Sequence, residues 1–145
     1  MKCTTIIDPQ HEEEILIYLK KQHPISKKIE DVIARQSCEL IGYGDSSIVK
    51  LDVDDIYCFT IEDNKVYALT PNDRLMLKQR LYIIEEMCGD GFVKINQSCI
   101  VNLTHISKFD ITLGGSLMVV MKNGYRDYVS RRQMKIVKER IGFNL

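Results

Sequence analysis

The sequence predicts a mainly β domain, α+β overall, in which short antiparallel strands are combined with a few short helices. From Leu40 onward, apolar residues recur at every second position in short runs, which is the pattern of half-buried strands. Clusters rich in Gly, Asp, Asn and Ser separate these runs and favour tight turns. Before Leu40 the apolar residues follow helical spacing instead, so a short α/β segment is expected to precede the β-rich part.

The length of 145 residues suits one domain with a short extension. We therefore divide the chain into an N-terminal α/β segment, residues 1–43, and a β-rich domain, residues 44–145. The N-terminal segment is a candidate for dimerisation or regulation. No stretch approaches the roughly 18 apolar residues that a membrane-spanning helix needs, and the N-terminus becomes acidic before any signal-like apolar region develops. A cytoplasmic protein is expected.

The first element predicted is a strand at Lys2–Asp8, a stretch rich in β-branched residues. An amphipathic helix is predicted next at His11–Gln22, because its apolar residues share one face and its first turn is acidic. Pro24 is expected to end this helix. A second helix, with its own apolar stripe, is predicted at Ser26–Ser37.

Four short strands are expected in the next part of the chain, where apolar residues alternate and turn-forming residues intervene. They are Leu40–Tyr43, Ser47–Leu51, Ile56–Ile61 and Val66–Leu69. The following stretch, Arg74–Met87, is ambiguous because its first half has the period of a strand and its second half the period of a helix. Periodicity alone does not decide between the two.

The last third of the chain predicts further strands and a final helix. The strands are Phe92–Ile95, Cys99–Leu103, Leu117–Lys122 and Tyr125–Val129. Asn123-Gly124, between the last two, predicts a type I′ hairpin turn, since Asn and Gly both accept positive φ angles. Ser130 and Gln133 have the spacing of a capping box, which places the start of the final helix at this point. Gly142 is suited to end that helix.

The net charge of zero conceals an uneven distribution of charge along the chain. Residues 92–145 contain nine Lys or Arg and three Asp or Glu, which gives a net charge of +6. Residues 1–91 contain 11 Lys or Arg and 17 Asp or Glu, which gives a net charge of −6. A cationic segment in an otherwise acidic protein is typical of a surface that binds a polyanion. A solvated surface helix would give the same pattern, so charge alone leaves both interpretations open.

Five cysteines are scattered through the sequence without a C-x-x-C pair. Their odd number and their spacing predict neither a disulfide framework nor a zinc site, so reduced thiols packed as small apolar groups are expected. His105 has no second metal ligand at helical spacing and is expected to be structural. The sequence also lacks the phosphate-binding, nucleophile-elbow and metalloprotease motifs of common enzyme families. We therefore expect no enzymatic activity, no cofactor and no bound metal.

Two segments of the last third match a known pattern. They are K-I-N-Q-S-C-I-V-N-L at Lys94–Leu103 and K-N-G-Y-R-D-Y-V-S-R-R-Q at Lys122–Gln133. Both segments, and the spacing between them, resemble the LytTR-type DNA-binding domains of bacterial transcription regulators. The resemblance extends from Gly44 to Leu145. It implies an arrangement of small antiparallel sheets in which inter-strand loops and the start of the last helix enter successive DNA grooves.

The resemblance also resolves the ambiguous stretch, where it favours a strand at Arg74–Lys78 followed by a short helix that ends near Cys88-Gly89. It implies the stand-alone subgroup of the family, because the residues before Gly44 are too few for the receiver domain that many relatives carry. Regulators of this subgroup are often paired with a small membrane protein that restrains them, so such a partner is implied as well.

The candidate DNA-contacting residues lie in three loops that the resemblance implies. They are Asn64 and Lys65 after an early strand, Lys94, Asn96, Gln97 and Ser98 around a later turn, and Ser130, Arg131, Arg132 and Lys135 at the start of the last helix. The amide of Gln97 can pair with adenine in the major groove. The guanidinium of Arg131 or Arg132 can bind phosphate or guanine through two hydrogen bonds. From local chemistry alone, the polar residues at 96–98 would be expected simply to form a turn.

The function predicted from these features is that of a bacterial transcriptional regulator that binds double-stranded DNA in a sequence-specific way. We expect it to read the major groove through inter-strand loops and the start of the C-terminal helix, and to bind DNA as a homodimer. Two alternatives stay open: a protein-interaction module with a basic docking face, and a ligand sensor whose N-terminal segment forms a pocket. Salt-dependent binding to duplex DNA with a preference for one sequence would distinguish the regulator from both.

Overall fold

The computed structural model describes residues 1–36 and 39–143. The helices in this part of the chain are α1 (Pro24–Gln36), α2 (Leu81–Cys88) and α3 (Arg131–Ile141). The strands are β1 (Leu40–Tyr43), β2 (Ile48–Leu51), β3 (Cys58–Glu62), β4 (Lys65–Leu69), β5 (Arg74–Leu77), β6 (Phe92–Asn96), β7 (Cys99–Asn102), β8 (Ile106–Ile111), β9 (Leu117–Met121) and β10 (Arg126–Tyr128). Single 3-10 turns lie at Val53–Asp55, Gly89–Gly91 and Leu103–His105.

Two antiparallel sheets form the framework of the described chain. Seven strands make a large sheet in the order β2-β1-β5-β4-β3-β7-β6, and the other three make a small sheet in the order β10-β9-β8. In the large sheet β3 pairs with both β4 and β7, so the β3–β4 and β6–β7 hairpins lie side by side. A bulge between Lys94 and Asn96 shifts the register of β6 just before its turn.

The large sheet separates two apolar clusters, because successive side chains of a strand point to opposite faces. One cluster lies beneath α2 and includes the fully buried Phe59 and Ile84. The other lies between the large sheet, the small sheet and α3, and includes Ile95, Val119 and Val137. Burial of an aliphatic side chain contributes about 1.5–3 kcal/mol. Packing through Val137 therefore holds α3 against β6.

The β-rich architecture predicted from the sequence is confirmed. Every strand predicted from Leu40 onward is present, with ends that move by one or two residues. The ambiguous stretch forms β5 followed by α2, as the family resemblance implies. The strand β8 is an addition that the sequence patterns do not predict. Its side chains alternate poorly in burial, because its register with β9 shifts between Ile106 and Lys108.

The prediction of a strand and a helix before α1 is wrong. Residues 1–23 form neither, and they are exposed along almost their whole length. The expected strand Lys2–Asp8 has no neighbouring strand, and strand propensity without a partner does not stabilise a single strand. In the expected helix His11–Gln22, Ile15 and Leu16 are each 63% exposed. A helix of this length is marginal in water unless its apolar face is packed.

The second predicted helix is confirmed as α1, although it begins at Pro24 instead of Ser26. Proline suits the first position of a helix, where its missing N–H would have no partner anyway. α1 packs on α2 and on the 3-10 turn that precedes β6, where Lys27 forms an ion pair with Asp90. Ser37, the predicted end of the helix, lies outside the described residues.

The large sheet begins before the domain boundary predicted between residues 43 and 44. β1 pairs with β2 along its whole length and with β5 at Tyr43↔Met76. Leu40 is fully buried in the cluster beneath α2. Residues 40–43 are therefore part of the β-rich domain, and the N-terminal segment consists of the residues that precede β1.

The hairpin turns differ from the sequence-based expectation. In the β9–β10 loop the Gly124 N–H donates to the Met121 carbonyl (2.9 Å), and the Met121 N–H donates to the Tyr125 carbonyl (2.8 Å). The positive φ of this loop falls on Gly124, at +87°. The loop is thus a three-residue turn with a glycine bulge, and the predicted type I′ turn is wrong. Two consecutive positive φ angles, as in a type I′ turn, occur instead at Asp63 (50°) and Asn64 (62°) between β3 and β4.

Candidate nucleic-acid interface

Three loops that are distant in the sequence meet around the β6–β7 turn. The carbonyl oxygen of Ser98 in this turn accepts a hydrogen bond from the N–H of Ile61 on β3 (2.9 Å). The side-chain amide of Asn96 donates to the carbonyl oxygen of Tyr128 at the end of β10 (2.8 Å). The β3–β4 hairpin, the β6–β7 turn and the start of α3 are therefore neighbours. We call residues 63–65, 97–98 and 131–135 the three-loop surface.

Exposure separates the polar residues of the β6–β7 turn. Gln97 and Ser98 are exposed, and the Gln97 side chain makes no hydrogen bond to another described residue. Asn96 is only 1% exposed. Its amide nitrogen donates to Asp127 Oδ1 (3.1 Å) and to the Tyr128 carbonyl, and its Oδ1 accepts from the Ser98 N–H (2.8 Å). The prediction that Asn96 contacts DNA is thereby corrected, because its polar atoms point inward and stabilise the turn.

Asp127 extends this hydrogen-bond network beneath the turn. Its Oδ1 also accepts from the Tyr128 N–H (2.8 Å), and its Oδ2 accepts from the Tyr125 hydroxyl (3.0 Å). Burial raises the pKa of Tyr125, as do the neighbouring Cys99 and Asp127, so the hydroxyl stays protonated and donates. A hydrogen bond to Cys58, together with burial, also raises the pKa of Cys99. The pair Tyr-x-Asp, whose side chains share one face, is the sequence signal of this network, and motif analysis did not detect it.

α3 begins where β10 ends. The N–H of Ser130 donates to the carbonyl oxygen of Ile95 (2.9 Å), which fixes the start of the helix against β6. Ser130 occupies the capping position, but its side chain makes no capping hydrogen bond, so the predicted capping box is not formed. Instead, the backbone N–H of Gln133 donates a hydrogen bond to the Ser130 carbonyl oxygen (3.0 Å). Gly142 adopts the left-handed conformation and ends the helix, as predicted.

The first turns of α3 carry exposed cations. Arg131, Arg132 and Lys135 are all exposed, and none forms an ion pair or hydrogen bond with another described residue. The first turn contains no acidic residue. A cation near a helix N-terminus opposes the helix dipole, at a cost of about 0.3–1 kcal/mol. These side chains are therefore available to an anion, and binding one would relieve an unfavourable interaction.

The other predicted contact residues lie in two different places. Asn64 and Lys65 are exposed in the β3–β4 hairpin and belong to the three-loop surface. Lys94 is half-buried on β6, opposite Ile100, which belongs to the cluster beneath α2. The side chain of Lys94 therefore lies on the face of the large sheet that points away from α3. The structure does not bring Lys94 together with the cations of α3.

Three of the four described cysteines are buried, as expected for packed thiols. Cys58, Cys88 and Cys99 are buried, Cys3 is exposed, and none of them forms a disulfide. The remaining cysteine, Cys38, lies outside the described residues.

His105 has a structural environment. Its ring packs edge-on against Tyr57, with 4.3 Å between the ring centroids, and its Nε2 lies within hydrogen-bond distance of the Asp54 carbonyl oxygen. Across residues 1–36 and 39–143, no group of three or more His, Cys, Asp or Glu side chains is arranged to hold a metal ion. In the same part of the chain, no helix combines the length and the apolar character needed to cross a membrane.

The fold and the three-loop surface define a β-rich domain with exposed polar turns and an exposed cationic helix start. The sequence profile of the LytTR family, described as the LytTr DNA-binding domain, matches residues 46–142. This chain belongs to the LytTR DNA-binding domain family.

Its relatives include uncharacterised HTH-type transcriptional regulators of Staphylococcus aureus, from strains NCTC 8325 and MRSA252. Each is 35% identical over 106 residues, which are 73% of this chain and 72% of the relative. A solved LytTr DNA-binding domain, of a protein described as a methyl-accepting/DNA response regulator from Bacillus cereus, matches with a TM-score of 0.69 at 20% identity. The match covers 74% of this chain and 99% of that domain, and it shows a shared fold.

Proposed function

We propose that this protein is a sequence-specific transcriptional regulator that binds double-stranded DNA through the three-loop surface. The observation that carries the proposal is that the β6–β7 turn, with its exposed Gln97, is hydrogen-bonded to the start of α3. There, Arg131 and Arg132 are exposed and have no charge partner among the described residues. Membership of the LytTR family supports DNA as the polyanion. The same membership makes an enzymatic role unnecessary to explain the site.

The chemistry of the exposed side chains suggests a division of roles on DNA. Gln97 can donate to and accept from one adenine edge, and Arg132 can bind guanine with two parallel hydrogen bonds, both in the major groove. Lys135 lies further along α3 and is suited to a phosphate, which a single positive charge can neutralise without reading sequence. Asn64 and Lys65 supply a third contact from the β3–β4 hairpin.

We further propose that the protein binds two half-sites as a homodimer and that the residues before β1 mediate the pairing. The exposed apolar residues of this segment, such as Ile15 and Leu16, support the proposal, because apolar side chains of this size are commonly buried when proteins associate. A small membrane protein that restrains the regulator is the partner implied by the family resemblance. We propose that the regulator itself is located in the cytoplasm.

A duplex titration at two salt concentrations tests the main proposal. The parent chain is first used to select duplexes from a randomised library, and the selected and random duplexes are then titrated. A DNA regulator loses log affinity linearly with log salt and keeps a preference for the selected duplex. Salt-sensitive binding without any preference would instead favour a basic docking face for an acidic protein. No duplex binding at all would refute the proposal.

A further inference from the structure

Asn96 is a buried side chain that joins two parts of the three-loop surface. Its amide nitrogen makes two hydrogen bonds to the end of β10, and its Oδ1 binds the N–H of Ser98 in the β6–β7 turn. An amide offers two donors and an acceptor oxygen, so each polar atom of this side chain is engaged. Asn96 itself is 1% exposed, so its own polar atoms are shielded from water.

The partner carboxylate is held as firmly as the amide. Asp127 Oδ1 accepts from both Asn96 and the Tyr128 N–H, while its Oδ2 accepts from the Tyr125 hydroxyl. Tyr125 is half-buried, and burial raises the pKa of its hydroxyl, which therefore remains a donor to Asp127. Hydrogen bonds to an ionised acceptor are roughly twice as strong as neutral ones. The orientation of Asp127 is therefore fixed from two sides.

We propose that Asn96 and Asp127 are positioning residues that clamp the β6–β7 turn to the start of α3, so that Gln97 and Arg132 keep one relative placement. This inference rests on the proposed function, because it concerns how that surface selects a DNA sequence. Neither clamp residue needs to touch DNA. Ordering two base-reading residues during binding costs free energy and therefore lowers affinity. If the clamp fixes their relative position beforehand, this cost is avoided for a duplex whose bases match that position.

The clamp has a natural control within the same strand pair. Asn102, at the opposite end of β7, is 2% exposed and donates to the Ile56 carbonyl (3.0 Å) while its Oδ1 accepts from the Thr104 N–H (3.1 Å). It is therefore a buried asparagine with the same type of bonding, but it lies away from the three-loop surface. Replacing it removes comparable hydrogen bonds without touching the clamp.

The experiment compares Asn96→Ala and Asn102→Ala in the full chain. Each variant is titrated with a duplex selected by the parent and with a random duplex, at a temperature where thermal melts show both variants to be folded. Asn96→Ala should lose about tenfold in affinity for the selected duplex, the effect of roughly one to two lost hydrogen bonds, with the random duplex nearly unchanged. Asn102→Ala should keep the parent's preference for the selected duplex, even if its melting temperature falls as far as that of Asn96→Ala.

Asp127 supplies a second pair of variants in case Asn96→Ala does not fold. Asp127→Asn retains an acceptor oxygen for Asn96 and should preserve the preference, whereas Asp127→Ala should lose it. Equal preference in the parent and in the folded Asn96→Ala or Asp127→Ala variant would overturn the clamp alone. The clamp is likewise overturned if Asn102→Ala loses as much preference as Asn96→Ala. A parent chain that shows no preference would overturn the proposed function and the clamp with it.

Discussion

The ammonium group of Lys27 lies against the carboxylate of Asp90, and the backbone carbonyl of the same Asp90 accepts a hydrogen bond from Arg140. One residue of the 3-10 turn before β6 thus contacts both α1 and the last turn of α3. The hydrogen bond between the two side chains is the main cause of a raised pKa for Lys27 and a lowered pKa for Asp90.

This ion pair predicts that the docking of α1 weakens in acid. The pKa of Asp90 in the folded protein lies below its usual 3.8. Its contribution to stability is therefore present above the usual value and is lost as the pH falls through the lowered folded pKa. Melting temperatures of the parent and of Asp90→Asn, compared from neutral pH to about pH 2, should differ slightly and then converge. A gap that persists at the acid end would contradict this origin.

Gly42 is expected to resist substitution because β1 and β5 approach closely there. A Cβ at this position would lie 2.7 Å from the Leu75 Cβ and 3.1 Å from the Leu51 Cδ1. Gly42→Ala should therefore lower the free energy of unfolding by about 1–3 kcal/mol, measured by urea denaturation. Gly114→Ala is the matched control, since a Cβ there meets no atom within 4 Å. Equal stability of the two variants would refute the close-approach argument.

Gln97 and Lys135 are predicted to affect binding in different ways. Gln97→Ala should cost about 1–3 kcal/mol on the preferred duplex and little on random DNA, if the amide pairs with one base. Lys135→Ala should weaken binding to all duplexes alike and lower the salt slope by about one unit. Both variants are titrated against selected and random duplexes at several salt concentrations. Equal losses for Gln97→Ala on the two duplexes would mean that this turn positions the protein without reading sequence.

Arg132 is predicted to depend on the shape of its side chain as well as on its charge. Arg132→Lys keeps the charge but loses the paired hydrogen bonds, so specific affinity should fall at least about tenfold, or 1.4 kcal/mol. The melting temperature should hardly change, because Lys is as good a helix former as Arg. Competition binding is measured with Arg131→Lys and both alanine variants alongside. If both lysine variants bind like the parent, the arginines act as point charges.

The N-terminal residues are predicted to support cooperative binding to paired half-sites. Deleting residues 1–39 should leave weak binding to a single half-site, since it removes α1 together with the exposed segment. Deleting residues 1–23 alone distinguishes the contribution of the exposed segment from that of α1, because this shorter deletion leaves α1 docked on α2. Occupancy of one-site and two-site duplexes is compared, with circular dichroism to verify folding. Full cooperative occupancy by the 1–39 deletion would exclude this role.

The β-rich domain could be predicted from the sequence because most of its strands have a local pattern of alternating apolar residues. β4 and β9, for example, alternate buried and exposed side chains, and that period is visible in the residues themselves. The predictions for residues 1–23 were wrong because a local pattern is not sufficient there. Residues 1–23 have the local composition of a strand and a helix, but no partner covers their apolar side chains, and tertiary packing decides whether such elements form.

The candidate site was predictable at the level of loops and less so at the level of atoms. Gln97 and Asn96 are adjacent amides in the sequence, yet one is exposed and the other has its polar atoms satisfied by Asp127 and Tyr128. That difference depends on a bulge in β6 and on a strand about 30 residues away. The capping-box spacing at Ser130 likewise predicted the start of α3 correctly. Backbone hydrogen bonds fix that start, however, and the Ser130 side chain makes no capping hydrogen bond.

The order in which the three loops occur along the chain has a consequence for newly made protein. The Ile61–Ser98 bond and the Asn96–Tyr128 bond both join residues more than 30 positions apart, so each closes a long loop. A chain still on the ribosome possesses the first two loops before the third has been translated. Such a nascent chain lacks the cations of α3 and the strand that orients them. The three-loop surface is therefore complete only once α3 has been translated, whatever the state of the first two loops.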